Sequence, residues 1–527
     1  MSVFDRFWRT VRHSTPRQLA ARALQTAREA AYPHAGALLS RAYPDEPAAR
    51  LEIPILPALR GLDQAEPIAA GPRWEPLSAI REILRGAVGL AVGEPAASGS
   101  APRMAAQLRF LAEHLEWHLL GSDLIAGAAA VTAGAAAISF PGSAAIYAAG
   151  ASALARELDR QVLADGGHAE RTPQLHASLL RDLLVALAIA RARGLPLPIE
   201  PQLARMLRWL GELSCAAPGT AALPDLPSAR AGAAAPATLP CWNDSTPAAD
   251  EVAAEASALA SRLGVAAAAG GVEGGVLVLP DTGWTQVCEA DHRLIFDQGP
   301  LGPRGHPGHG HSDALSVELC WSGLPVLCDT GASSFEDDPI RRFERSAAAH
   351  ATVTVDGLGP DELWGVRGVG ARGKVSAKPR WERSGVHVLR GKVDAPQGWD
   401  QQRTVIFWPG RILVIIDRID GEPDGAEVLA RLPFAPDWAV GPRSATHASG
   451  LTLGLEILRG ELHGFDRDGH LAAGLGKRRP RAVWRLRADL DGVAACSISA
   501  LGAAAVLTEA GCTLSGGGED RLIPLGS

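Results

Sequence analysis

The sequence predicts a multidomain α + β protein, with a helical N-terminal half followed by a C-terminal antiparallel β-sandwich. Three observations predict it. Apolar residues recur at helical spacing from the N-terminus to about residue 220. A stretch rich in Ala and Pro, from Ala216 to about Pro247, then interrupts the pattern. Beyond it, after one more helical segment, short β-branched runs bounded by Gly, Asp and Pro turns take over. At 527 residues the chain exceeds one ordinary core, so two domains of about 200–270 residues are expected.

Taken in order, LAARALQTA, PLSAIREILRGAVGL, AAQLRFLAEHLEWHLL, ASALARELDRQVLA, HASLLRDLLVALAIARARG and PQLARMLRWLGEL each carry an apolar stripe and end at Gly or Pro breaks. Paired helices of this kind suit an incomplete α/α toroid over residues 74–264, preceded by a helical extension at 1–73. The Ala-rich run at 124–140 is apolar enough to suggest a membrane span, but its small residues, Gly127 and Gly134 among them, favour a buried helix, so no integral membrane segment is expected. A helical segment near 248–263 follows the connector. From 265 to 527, GGVLVLP, SVELCWSGLPVLCDTG, ATVTVDG, RTVIFWPGRILVIIDRID and AVWRLRADL read as strands of a large sandwich.

Composition narrows the function. The net charge of −7 gives no global basic field, so nucleic acid is not an expected partner and a polyanion would need a locally basic cleft. Seven scattered cysteines, none in a CxxC pair, indicate neither a disulfide framework nor a thiolate zinc site. The basic N-terminus lacks an uninterrupted apolar stretch and a cleavage site, so the expected location is cytoplasmic, with the periplasm as the alternative. Gly-rich stretches such as GVEGG lack the lysine and helix context of a phosphate loop.

The most informative segment is 294–357, with HGHSD at 309–313, a strand pair running into Asp329-Thr-Gly, an Arg-rich turn carrying Arg341, Arg342 and Arg345, and His350 before a strand. WEPLSAIREI, EWHLLGSDL and LADGGHAERTPQLH precede it, with weaker signals in WND at 242–244 and DELWGVRG at 361–368. In this order the motifs resemble the heparinase II/III-like polysaccharide lyase family, over roughly residues 74–375.

The resemblance implies a zinc held by His311, Asp329 and His350, a borderline nitrogen and oxygen set that suits that ion. Spacing alone assigns no such site, because a histidine in a β domain is commonly a packing residue. The resemblance also implies that His309 is the catalytic histidine of a β-elimination on a uronate-containing acidic polysaccharide. His118, Ser122, Asp123, His176, Arg342 and Arg345 are the expected substrate contacts. The chain departs from the family at the chemistry. Leu175 stands where a tyrosine would transfer a proton, and Ser122 and Asp123 replace an Asn-His pair; Ala351 and Phe335 are lesser departures. Two functions therefore compete: a lyase, for which exopolysaccharide is one candidate polymer, and a catalytically inactive carbohydrate-binding or scaffolding protein.

Overall fold

A computed structural model describes 11, 14, 16–45, 47–51, 55–60, 62, 74–94, 101–117, 119–214, 239–270, 275–421 and 425–525. Among the described residues, eight α-helices build the first half: α1 (Pro16–Ala42), α2 (Pro76–Val92), α3 (Ala101–Glu113), α4 (Gly121–Ala137), α5 (Ser143–Gln161), α6 (Pro173–Ala192), α7 (Glu200–Leu213) and α8 (Ala249–Arg262). Local signals set their ends. Glu75 caps α2 by accepting from Ser78 N, Pro76 fills its first turn, and Gly93 closes it in the left-handed region at φ 87°.

The Ala-rich run becomes α4, the central helix, packed against α2, α3, α5 and α6. Small residues allow this crowding: a Cβ on Gly134 would stand 2.6 Å from Ile83 and 2.9 Å from Leu108. Among the described residues no helix is long and apolar enough to cross a membrane.

The second half opens with a five-stranded antiparallel meander, β1 (Val276–Leu279), β2 (Trp284–Glu289), β3 (His292–Asp297), β4 (Val317–Trp321) and β5 (Leu324–Leu327). Its two faces enter different cores. Leu277, Leu279, Trp284 and Ile295 join the helical core, whereas Val276, Val287, Leu294 and Phe296 join the sandwich core. That division is the period of two in a strand with both faces covered. An eight-stranded sheet running from Lys374–Arg383 to Trp438–Val440, and a four-stranded sheet that includes Val353–Val355, complete the sandwich. A three-stranded sheet spanning Ala504–Ile523 covers the outer face of the eight-stranded one, around Val388, Ile406 and Leu514. Cys241, Cys320, Cys328, Cys496 and Cys512 are free thiols, but Cys288 is disulfide-bonded, which the cysteine spacing did not indicate.

Candidate active site and metal centre

The site forms where loops of the helical half meet the loop between β3 and β4. Trp242 anchors the WND turn, fully buried and edge-on to Trp284 at 4.7 Å. Asn243 adopts φ 58° and ties the two halves together: its Oδ1 accepts from His311 N at 2.8 Å, and its Nδ2 donates to Arg171 O at 2.9 Å. Asp244 then projects into the centre.

Asp244 is 4 % exposed and accepts from three side chains. His309 Nδ1 donates to Oδ2 at 2.7 Å, His311 Nε2 to Oδ1 at 2.9 Å, and the Arg341 guanidinium to both oxygens. Burial works against ionisation, but Arg341 and the two histidine hydrogen bonds hold this carboxyl well below the usual carboxylate range. For His309, burial favours the neutral ring, yet Glu170 and Asp244 outweigh it and raise the pKa. With Nδ1 donating to Asp244, Nε2 is the ring atom left for proton transfer, the same orienting logic as in a carboxylate-histidine pair.

The three expected metal ligands converge. His311, Asp329 and His350 are all buried, and one ligand atom from each lies within 4.8 Å of the other two. His311 Nδ1 and His350 Nε2 are buried without a hydrogen-bond partner among the described residues. Their opposite nitrogens are engaged, His311 by Asp244 and His350 by Asp329 Oδ2 at 2.6 Å, which fixes both rings. Burial lowers His311 to about 4, so its imidazole is in the neutral, ligating form. Neighbouring carboxyls are crowded: burial together with Asp329 pushes Glu318 up to about 7, and burial first, then Asp297, drives Asp313 well up. Two orphaned imidazole nitrogens beside an excess of buried carboxyls fit a divalent cation, and zinc suits the donor types.

The remaining expected residues divide. Ser122 and Asp123 open α4 at the cleft: Ser122 N donates to Glu170 Oε1 at 3.3 Å, and Asp123 pairs with Arg367 at 3.1 Å. Burial raises the Glu170 carboxyl, whose Oε2 has no hydrogen-bond partner among the described residues and lies 3.6 Å from His168 Nδ1, and a Cβ on Gly121 would stand 1.8 Å from its Oε1. Leu175 lies in the first turn of α6, where Gln174 N donates to Ser245 Oγ at 3.1 Å beside Asp244. His118 lies outside the described residues.

Three expected substrate contacts have other surroundings. His176 is fully buried, stacked on Trp209 at 4.4 Å with Nε2 against Met206 O, so it packs the helical core. Arg345 is 1 % exposed and donates to the carbonyls of Gly310, Gly365, Val366 and Gly368; burial first lowers its pKa to about 10. It therefore shapes the His309 loop from beneath. Arg342, near the end of α9 (Pro339–Arg345), is exposed and paired with Asp337 at 2.9 Å. Alternation of buried and exposed positions along α9, invisible in a run of arginines, decides which of them faces inward.

Residues 104–257 match the heparinase II/III N-terminus and residues 273–521 match the heparinase II/III-like C-terminal domain. The chain belongs to the heparinase II/III-like family. Its fold is similar to that of heparinase III (TM-score 0.64, 13% identity, 88% of this chain and 77% of that one). It is also similar to heparan sulfate lyase HepC from Pedobacter heparinus (TM-score 0.56, 17% identity, 86% of this chain and 74% of that one). A third likeness is to the heparinase III BT4657 gene product (TM-score 0.58, 16% identity, 85% of this chain and 74% of that one). No curated protein matches the sequence.

Proposed function

We propose that this heparinase II/III-like chain acts on an acidic, uronate-containing polysaccharide by β-elimination, with His309 as the proton-transferring residue. The observation that carries this is the carboxylate-oriented imidazole: Asp244 holds His309 Nδ1, which leaves Nε2 as the ring nitrogen for proton transfer. Elimination requires removal of the proton beside the uronate carboxyl, a task within reach of such a ring. Zinc bound by His311, Asp329 and His350 would supply structural cross-linking of the β3–β4 loop to the strand that leads into the Asp329 turn. That crosslink would fix the loop two residues from His309. Exopolysaccharide is one candidate polymer, and the names of the structural relatives make heparan sulfate another.

A second reading, a catalytically inactive carbohydrate-binding or scaffolding protein, is favoured by Leu175. Leucine carries no exchangeable proton, and the hydroxyls of Tyr43 and Tyr147 are bonded elsewhere, to Glu113 and to Pro196 O. Loss of a general acid costs about 10²–10⁴ in rate.

One experiment separates the two. Purified protein is incubated with heparan sulfate, alginate, hyaluronan and bacterial exopolysaccharide while the absorbance of the unsaturated uronate is followed, beside a His309→Ala variant. A signal that vanishes in the variant supports the lyase. Binding of a polymer with no product from any of them supports the scaffold, and a signal that persists in the variant rejects His309.

A further inference from the structure

The cleft holds several cations, and most are engaged. Arg341 is fully buried against Asp244, Arg345 is buried among carbonyls, and Arg171 donates to Ala169, Asp281 and Thr282. Arg367 differs. Its stem lies on Gly308, where a Cβ would stand 3.0–3.2 Å from its Cβ, Cγ and Cδ, so the chain position next to His309 fixes where this side chain runs. Its guanidinium is close enough to act electrostatically on His309, Glu170 and Asp244. Its side chain remains 41% exposed.

Across the cleft Nη1 of Arg367 donates to Asp123 Oδ2 at 3.1 Å. Nε and Nη2 have no hydrogen-bond partner among the described residues, so one edge of the fork is not engaged by the protein. Asp123 itself stands in the first turn of α4, beside the Ser122 N–H. A half-exposed ion pair is weak and its partner is readily exchanged. A guanidinium fork also accepts a carboxylate or sulfate on two parallel N–H groups.

We propose that Arg367 receives the acid group of a sugar bound beside His309, and that Asp123 is its internal counter-ion, displaced when the sugar enters. The inference rests on the acidic-polysaccharide reading and names the residue that selects for acidity. In this chain, where Ser122 and Asp123 open α4, neutralisation comes from the sandwich side of the cleft. Asp123 keeps the arginine extended while the cleft is empty, and it repels acid groups that fail to reach the fork.

The test is equilibrium binding of defined oligosaccharides to the full chain: alginate (carboxylate only), dextran sulfate (sulfate only), heparan sulfate (both) and neutral dextran. The wild type and the variants Arg367→Ala, Arg367→Lys and Asp123→Asn are compared. Arg367→Ala is expected to weaken binding of the preferred acidic ligand about 10–100-fold, the range of a charged hydrogen-bonded contact. Arg367→Lys should fall between, since an ammonium keeps charge but loses the fork. Asp123→Asn should tighten binding several-fold, because the intramolecular competitor is gone. A purely structural ion pair would make Arg367→Ala and Asp123→Asn lose affinity together, and that result overturns the inference. So does an Arg367→Ala variant within twofold of wild type. If wild type binds none of the acidic ligands, the acidic-polysaccharide reading fails and this inference with it, whereas binding that ignores Arg367 sinks only the inference.

Discussion

Asp244→Asn tests the centre of the site most directly. In the native protein the two carboxylate oxygens take His309 Nδ1, His311 Nε2 and both terminal nitrogens of Arg341, all inside a shell where Asp244 and Arg341 have almost no exposure. An amide there keeps one acceptor oxygen and turns an NH₂ toward groups that are themselves donors. Arg341 then remains buried without a counter-charge. Removing one partner of a buried pair costs about 3–5 kcal/mol. At about 2–4 °C per kcal/mol for a large domain, the melting temperature should fall by roughly 6–20 °C. Differential scanning calorimetry reads this, and a double-mutant cycle with Arg341→Met should show about 1–3 kcal/mol of non-additivity. Because Asp244 also orients His311, zinc affinity measured by chelator competition should weaken about 10–100-fold. A melting temperature within about 1 °C of wild type, or effects of the two substitutions that simply add, would refute the account of Asp244 as the shared acceptor.

Three further outcomes are expected. His350→Ala should abolish stoichiometric zinc in metal analysis of the purified protein, and chelation of wild type should lower its melting temperature; a variant that keeps its metal rejects the triad. Asp250 is held at about 6 by burial, above its unfolded value, so its stabilising contribution is complete below about pH 4 and is lost as pH rises through 6. Asp250→Asn should therefore match wild type at pH 4 and exceed it at pH 8 by about 1–2 kcal/mol in urea titrations, at about 1.4 kcal/mol per unit reduced for partial exposure. Leu175→Tyr should raise any measurable β-elimination by up to about 10² if the first turn of α6 faces the reacting sugar, and an unchanged rate would place the missing proton donor elsewhere.

Much of the architecture was legible because periodicity reports it locally. The six helical stripes correspond to α1–α3 and α5–α7 and the switch to short strands to the sheets, and the Ala-rich run is a buried helix, α4, whose small residues let its neighbours pack closely. His311, Asp329 and His350 were readable as ligand types on successive elements. The division of the other polar residues was not. Asp244 meets His309 from 65 residues away, and Asp123 meets Arg367 from 244 away, separations over which no sequence period operates. His176 and Arg345 share the charge and polarity of cleft residues, but their neighbours in space, Trp209 and a ring of carbonyls, give them packing and scaffolding work. WND was the signal closest to revealing Asp244, since an aromatic anchor followed by two carbonyl-bearing residues marks a turn that can reach inward.

The meander β1–β5 has a consequence for how such a protein can be taken apart. Cutting between the two family-matched regions, in 258–272, would leave Leu277, Leu279, Trp284 and Ile295 as an oily wall on the C-terminal piece and strip α7 and α8 of the surface they close. Each fragment would present the other with an aggregation-prone face, so the halves are expected to unfold in one event and to resist separate expression or exchange with unrelated modules. Positions at the cleft, such as Leu175 in the first turn of α6, can change without touching that wall. The chemistry of this fold is thereby free to drift while its partition into two halves stays locked.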